Sequence, residues 1–226
     1  MKPPLRRSLP DAPFLVRAWI GVRAFGPLMR DVTDPHYGPL FQESLDGKVY
    51  SRAAFRLGGS EGGRRFLTQR PSLAVGDVDL AALRTLPPGS LGREYALFFT
   101  QPGVQPLVAA PRDLSDSQYL AKRMRETHDL HHLLTGYGID TVSEHELQAF
   151  QYGNLGTPTS LLTLVATLHR RYPLPRAGYL RRLRNAYRRG RAAAPLTDIH
   201  WERFWETPLD QVRCRYLAAA SERASR

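Results

Sequence analysis

Two histidines and two carboxylates near the middle of the chain have the residue types and spacing of a metal site. His128 and His132 are four positions apart, Asp129 lies between them, and Glu144 follows a glycine-rich turn. On a helix, residues four apart share a face, and Asp129 is about 60° around the axis from His132. Imidazole nitrogens with carboxylate oxygens suit zinc, iron or manganese. The spacing therefore predicts one divalent cation bound by all four side chains.

The same residues also fit ordinary helix chemistry without a metal. Asp129 could accept the ring N–H of His132. Glu144 is the last residue of a capping-box pattern that begins at Thr141, and a second such pattern begins at Ser143. Spacing alone leaves the metal and the capping interpretations open.

Two hydrolase classes carry related motifs. A zinc protease helix places glutamate after its first histidine, whereas Asp129 is one methylene shorter and would reach a metal-bound water poorly. A phosphohydrolase of the His-Asp type needs a further upstream histidine, and the nearest one here is His36. Both classes fit less well than a four-ligand site.

The chain is strongly basic, with 32 basic and 21 acidic residues among 226 and a net charge of +11. Almost all of the positive charge is arginine, whose guanidinium group suits bidentate contacts with phosphate or carboxylate. An anionic membrane, an anionic lipid and nucleic acid are candidate partners, beside a surface that is merely solvated. No nucleic-acid-binding module is recognisable, which argues against nucleic acid.

The composition is that of an ordinary globular protein, large enough for one domain with a substantial core. The single cysteine, Cys214, excludes an intramolecular disulfide, and we expect it to be a small buried hydrophobe. No apolar run reaches the length of a membrane span, and no apolar signal-peptide core follows the start of the sequence. A transit peptide stays open.

The apolar periodicity predicts an all-α, single-domain multi-helix bundle. Residues 1–13 are rich in proline and arginine and are expected to be poorly ordered, with 14–226 forming the domain. Strand-like alternation is nearly absent, and 101–112 is predicted to be a loop. Helices are predicted at 14–29, 51–57, 62–67, 79–86, 92–99, 115–135, 143–152, 158–170, 175–190 and 201–220, the last with an interruption near Pro208.

One segment, His169–Arg191, carries nine arginines with an apolar stripe at helical spacing. A basic amphipathic helix of this kind is typical of a membrane-surface or helix-docking element. A helix packed on the core with a solvated charged face fits the pattern equally well. If the helix contacts a membrane, the arginines expected at the anionic head groups are Arg181, Arg182, Arg188 and Arg189.

Several blocks of the sequence together resemble a known family. His128-Asp129-Leu130-x-His132, followed by eleven residues and Glu144, resembles the signature of the ubiquinone (coenzyme Q) biosynthesis protein 4 family. Similar blocks occur before and after it, in the family's order, and the matches cover roughly residues 64–213. These blocks are Arg70-Pro71, Asp79-Leu80 with Leu83-Arg84-x-Leu86-Pro87, Gly89 to Tyr95, and Trp201 to Arg213.

Two positions depart from the family's pattern. His131 stands where the family usually has a bulky apolar residue, so it could compete as a ligand or act in packing. Ser143 stands where a glycine is common before the family's glutamate, which favours the capping interpretation of this turn.

The resemblance implies a helical protein that binds a divalent cation, with zinc the metal usually named, and that takes up a polyprenyl lipid. It implies peripheral association with a membrane on its cytoplasmic side, or on the matrix side of the mitochondrial inner membrane in a eukaryote. Other ubiquinone biosynthesis proteins are the implied partners. The oligomeric state, including a homo-oligomer, stays open.

The implied activity is removal of the ring carboxylate at C1 of a polyprenylated hydroxybenzoate, with or without hydroxylation. Asp129 and Glu144 would then be the catalytic carboxylates, and Arg93 and Tyr95 are candidates for orienting the anionic head group. The alternative function is a non-catalytic scaffold that binds lipid and metal and organises the other biosynthetic enzymes. An open coordination position beside an apolar tunnel would distinguish the two.

Overall fold

The computed structural model describes residues 12–30, 37–74, 76–101, 115–171 and 177–217. Within these ranges the chain is helical and has no strand, which confirms the all-α prediction. The predicted disordered segment and the predicted loop at 101–112 lie almost entirely outside the described residues. The helices are α1 (Phe14–Arg30), α2 (Tyr37–Gly58), α3 (Glu61–Gln69), α4 (Leu80–Arg84), α5 (Leu91–Phe98), α6 (Asp116–Glu126), α7 (His128–Thr135), α8 (Thr141–Leu155), α9 (Pro158–Arg171), α10 (Ala177–Ala192) and α11 (Leu209–Leu217), with short 3-10 segments at Leu196–Asp198 and Trp201–Phe204.

Three predicted helices differ from the structure. Helix α2 is much longer than predicted, because its first half buries Leu40 as well as several polar side chains. The segment predicted at 115–135 is two helices that meet at Thr127, whose hydroxyl donates to the Arg123 carbonyl. The last predicted helix begins as a 3-10 segment, and α11 starts only after Pro208.

The prediction for Cys214 is wrong, because its side chain is exposed. Helix α11 buries Leu209 and Val212 instead, which are three positions apart and share a face. Cys214 lies outside that stripe.

Helix α7 lies in the centre of the bundle. Leu130, His131 and Leu134 have no exposed surface, and His132 is almost fully buried. A helix of eight residues is too short to be stable alone, so its conformation depends on the packing around it. The neighbouring helices therefore determine where the two site histidines lie.

The carboxyl end of α7 is held by two arginines from distant parts of the sequence. Arg213 of α11 donates from Nε and Nη2 to the Leu133 carbonyl, and Arg189 of α10 donates to the Thr135 carbonyl. Gly136 ends the helix in the left-handed conformation, with a φ of 75°. Cations at a helix carboxyl end also oppose the partial negative charge there.

Helices α8 and α10 approach each other closely through two glycines. A Cβ at Gly153 would lie 2.2 Å from the Tyr187 carbonyl oxygen, and one at Gly190 would lie 2.0 Å from the Phe150 carbonyl oxygen. The Asn154 amide also donates to the Gly190 carbonyl. This contact fixes the position of α8 against α10, and α8 carries Glu144.

Candidate metal centre

Three of the four predicted ligands converge between α7 and α8. The Nε2 atoms of His128 and His132 are 3.2 Å apart. Glu144, in the first turn of α8, places Oε1 3.0 Å from His132 Nε2 and Oε2 3.7 Å from His128 Nε2. A tetrahedral zinc site with ligands at about 2.1 Å has donor atoms roughly 3.4 Å apart. The donor set and its spacing therefore fit a single divalent cation.

The tautomer of His132 also suits a metal ligand. Its Nδ1 lies 3.1 Å from the Tyr137 carbonyl, and a carbonyl can only accept, so Nδ1 carries the hydrogen. The lone pair is then on Nε2, which faces Glu144. Phe98 stacks on the ring with centroids 5.7 Å apart and fixes its plane. A backbone acceptor behind a ligating histidine is the usual support of a protein metal site.

The electrostatics of the cluster favour a positive charge between the ligands. Burial disfavours the ionised form of Glu144, but hydrogen bonds and charge from His128 and His132 outweigh it and lower the Glu144 pKa to about 2. Burial likewise disfavours charged His132, yet the contact with Glu144 raises the His132 pKa above its ordinary value. A divalent cation would supply the positive charge that this carboxylate attracts.

The capping interpretation of Glu144 is wrong. Asp140 is the N-cap of α8, and its Oδ1 accepts from the backbone N–H groups of Val142 and Ser143 at 3.0 and 3.2 Å. Thr141 and Ser143 therefore lie inside the first turn. Glu144 is not needed to cap the helix and turns toward the two histidines.

Asp129 lies beside the cluster rather than in it. Its carboxylate is not one of the three groups whose ligand atoms lie within 4.8 Å of one another. Burial raises the Asp129 pKa, and the charge of Glu144 adds to that effect while the two histidines oppose it. The side chain is half-buried and lines a cavity next to the metal centre.

His131 belongs to the core. Its Nδ1 accepts from the Gln151 side chain at 3.1 Å, and its Nε2 lies 3.1 Å from the Thr127 hydroxyl. Both ring nitrogens are thus occupied by neutral partners, and full burial lowers the His131 pKa well below its ordinary value. These contacts account for a histidine at this position without a metal.

A cavity of about 490 Å³ adjoins the centre. Residues of α2, α5, α6, α7, α8 and α9 line it, together with Thr157 before α9. Its lining combines aromatic rings, amides, hydroxyls and both signs of charge. The residues are Phe41, Gln42, Tyr50, Tyr95, Met124, Arg125, Glu126, His128, Asp129, Gln148, Gln151, Thr157, Thr159, Ser160 and Thr163.

The two predicted head-group ligands are placed differently. Tyr95 lines the cavity, and its ring stacks on Trp205 with centroids 5.4 Å apart. Arg93 is not among the lining residues and donates to the Leu86 carbonyl at 3.2 Å. The structure instead places Arg125 in the cavity wall. Sequence reasoning missed Arg125, because α6 ends at Glu126 and only the folded structure brings this side chain to the cavity beside His128.

The four predicted membrane arginines of α10 divide into two pairs. Arg182 forms a two-point ion pair with Glu146 of α8, with contacts of 3.0 and 2.5 Å. Arg189 contacts the end of α7 through Thr135. Arg181 and Arg188 are exposed, and they share one face of the helix with exposed Arg184 and Arg191. We call these four side chains the α10 arginine face: Arg181, Arg184, Arg188 and Arg191.

Helix α1 also presents an unusual surface. Leu15, Trp19 and Val22 are 79%, 56% and 76% exposed and lie on one helical face. The helix contains no acidic residue. None of the helices in the described ranges is long and apolar enough to cross a bilayer.

Comparison with known proteins identifies the chain. Residues 43–218 match the family described as coenzyme Q (ubiquinone) biosynthesis protein Coq4. The chain belongs to this family. The match begins inside α2 and includes the metal centre and every helix that carries it. The Coq4 resemblance predicted from the motif blocks is thereby confirmed.

Several fungal proteins are similar to this Coq4-family chain. A mitochondrial ubiquinone biosynthesis protein COQ4 from Phaeosphaeria nodorum is 35% identical over 68% of this chain and 54% of its own length. The protein of that name from Eremothecium gossypii is 33% identical over 77% of this chain and 53% of its own length. The one from Talaromyces stipitatus is 30% identical, over 91% and 74% respectively. The chain thus spans about half the length of the first two relatives.

A solved structure shares the fold. The crystal structure of a protein from Nostoc punctiforme, described as a ubiquinone biosynthesis protein, has a TM-score of 0.69 at 21% identity. The similarity covers 88% of this chain and 97% of that one. At this identity the likeness concerns the helical architecture alone.

Proposed function

We propose that the chain acts in ubiquinone biosynthesis by removing the C1 carboxylate of a polyprenylated hydroxybenzoate. The observation that carries the proposal is the convergence of His128, His132 and Glu144 beside a cavity lined by Asp129 and Tyr95. The cavity has the volume of a small-molecule site. Membership of the Coq4 family supports the pathway, and the cavity supports a reaction on a ring-sized head group.

The metal proposal follows from the same donor set. His128, His132 and Glu144 would hold the cation, and Asp129 would stay beside it with its carboxyl group outside the ligand set. Three protein ligands leave a coordination position open, as catalytic zinc sites do. A bound divalent cation would stabilise negative charge on a substrate oxygen. Zinc is our proposal for the metal, because imidazole and carboxylate donors in this number suit it.

The reaction also needs an acid. Breaking the bond between C1 and the carboxylate carbon releases carbon dioxide and leaves the electron pair on C1, which must then take up a proton. The cavity wall contains two carboxyl groups, Glu126 and Asp129. Glu126 is already occupied by the Ser72 hydroxyl, the Leu73 amide and Lys122. Asp129 is therefore the proposed proton donor to C1.

Tyr95 has a supporting role in this proposal. Burial, together with the nearby Asp129 charge, raises the Tyr95 pKa, so the phenol stays protonated at neutral pH. A protonated phenol in the cavity wall can donate a hydrogen bond to a substrate oxygen. Its stacking on Trp205 limits its motion.

The test is carbon dioxide release from a ring-carboxyl-labelled polyprenyl-hydroxybenzoate by metal-loaded protein. We expect release by the wild type, and a loss of at least 100-fold in Asp129→Asn, which cannot donate the proton. Mass analysis of the product separates simple decarboxylation, which leaves hydrogen at C1, from decarboxylation with hydroxylation by oxygen and a reductant. An inert wild type that still binds metal and lipid would contradict the catalytic proposal.

The scaffold function remains the second candidate, because the same three ligands join α7 to α8. A metal held there would pin two helices whether or not chemistry occurs. Under this alternative, all variants are inert in vitro, and the wild type alone restores quinone synthesis and recruits the other biosynthetic proteins in cells.

We also propose that the chain binds a membrane surface from outside. The α10 arginine face and the exposed apolar row of α1 support an anionic lipid surface as the partner. Arginines attract anionic head groups, and tryptophan suits the interface between head groups and acyl chains. The fungal relatives are named as mitochondrial, which supports a mitochondrial membrane as the location if the chain is eukaryotic.

A further inference from the structure

We propose that Arg125 binds the ring carboxylate of the substrate and gives the cavity its preference for an aromatic acid. The inference rests on the proposed function, because it assigns the head group to the cavity beside the metal centre. Arg125 lies on α6, three positions before His128 and four before Asp129. It is the one lysine or arginine among the described residues that line the cavity.

Contacts from α2 hold the guanidinium in the cavity wall. Arg125 Nη1 donates to the Gln42 side-chain oxygen at 2.5 Å, and the Gln42 amide donates to the Tyr50 hydroxyl at 3.1 Å. Tyr50 is almost fully buried, so this chain of hydrogen bonds is anchored in the core. Gln42 is a neutral acceptor, and this contact orients the guanidinium in the cavity wall.

The two neighbouring cations of α6 are not among the residues that line the cavity. Lys122 pairs with Glu126 at 3.0 Å, and Arg123 pairs with Glu202 at 2.7 Å. Both of these ion pairs are largely buried. Both cations therefore have carboxylate partners within the protein, and Arg125 is the cation of this helix that borders the cavity.

The chemistry of the cavity then points to an aromatic carboxylate. A guanidinium matches a carboxylate through two parallel N–H···O contacts, which phenols and neutral rings cannot form. Phe41, Tyr50 and Tyr95 supply aromatic surface in the same cavity. Because Arg125 and Asp129 line the same cavity, an acid held by Arg125 would present its C1 atom to the space that Asp129 also borders.

The binding of two matched ligands tests this inference. The probes are 3-geranyl-4-hydroxybenzoate and 2-geranylphenol, which differ only by the carboxylate. For the wild type we expect the acid to bind about 10- to 100-fold more tightly, the range of a hydrogen-bonded charge pair. Arg125→Gln should bring the two affinities within about threefold by weakening the acid alone, and Arg125→Lys should keep part of the preference.

Further variants separate recognition from a structural role. Gln42→Glu leaves the arginine in place but gives it a competing carboxylate, so it too should lower the preference for the acid. Arg84→Gln, which removes an exposed arginine of α4, should behave as the wild type. Metal content should be unchanged in all of them.

Three results would overturn the assignment: equal weakening of both ligands, loss of metal in Arg125→Gln, or an undiminished preference for the acid in that variant. Carbon dioxide release is scored separately. A preference for the acid that depends on Arg125, without carbon dioxide release, would support the binding inference and count against the catalytic proposal. Failure of the binding inference is therefore distinguishable from failure of the proposed reaction.

Discussion

At the scale of single residues, the sequence predicted which side chains converge better than it predicted their surroundings. His128, His132 and Glu144 followed from helical spacing and one turn. The displacement of Asp129 could not be predicted, because it depends on how α7 is rotated against α8. Arg125 was missed because an arginine three residues before a histidine carries no signal until a cavity forms beside it. The role of His131 depends on Gln151, a residue of another helix.

Asp46 gives a residue-scale prediction about pH. Its carboxylate is fully buried and accepts from the backbone N–H and the hydroxyl of Thr159. Burial raises the Asp46 pKa to about 6, although the Thr159 bonds oppose the shift. Between the ordinary value near 3.8 and about 6, the folded state binds more protons than the unfolded state. The free energy of unfolding therefore falls as pH rises through this window.

Asp46→Asn should remove that fall, because an amide does not ionise, while its oxygen can accept the Thr159 backbone N–H and its NH2 group can donate to the Thr159 hydroxyl oxygen. Urea unfolding at pH 4, 5, 6 and 7 should show the variant gaining up to about 3 kcal/mol relative to the wild type across the series. Asp79→Asn, which changes the exposed N-cap of α4 to another good cap, should keep the wild-type slope. If the free energies of unfolding of the wild type and Asp46→Asn change with pH in parallel, the prediction is contradicted.

At the scale of helices, local sequence patterns predicted most helices. They failed where contacts between distant parts of the chain determine a helix boundary or position. The interruption of the tail near Pro208 was correctly predicted. The break at Thr127 was missed because the helical pattern continues through it. The arginines that hold α7 could not be assigned from sequence, since Arg213 is far from Leu133 along the chain.

Gly190→Ala tests the contact that positions α8. The added Cβ would overlap the Phe150 carbonyl oxygen, so the two helices must separate. We expect a loss of roughly 1–3 kcal/mol in the free energy of unfolding and weaker metal binding, since Glu144 moves with α8. Gly178→Ala on the same helix meets nothing within 4 Å and is the matched control. Denaturant unfolding measures both variants, and equal stabilities would refute the role assigned to the glycine contact.

At the scale of the whole molecule, the distribution of exposed arginines supports the proposed membrane partner. The net charge of +11 alone could draw any anion, but Arg182 contacts α8 and Arg189 contacts the end of α7. The α10 arginine face lies on a different side of the helix. Changing the α10 arginine face to serine should weaken binding to phosphatidylglycerol vesicles, by about 1 kcal/mol for each arginine near the lipid. Vesicle co-sedimentation at rising salt measures the effect.

A matched control distinguishes a specific face from net charge. Changing Arg52, Arg64, Arg65 and Arg84 to serine removes the same charge from exposed positions on α2, α3 and α4. This control should bind vesicles more tightly than the α10 variant. Equal weakening by both sets would show that total charge, and not the α10 face, drives the association.

The most direct test of the account is the metal content of purified protein and two variants. We expect about one divalent cation per chain in the wild type and in His131→Ala, because the His131 ring nitrogens contact Gln151 and Thr127. We expect none in the double variant His128→Ala/His132→Ala, which removes both imidazole ligands. Full metal content in the double variant would contradict the site and every proposal built on it.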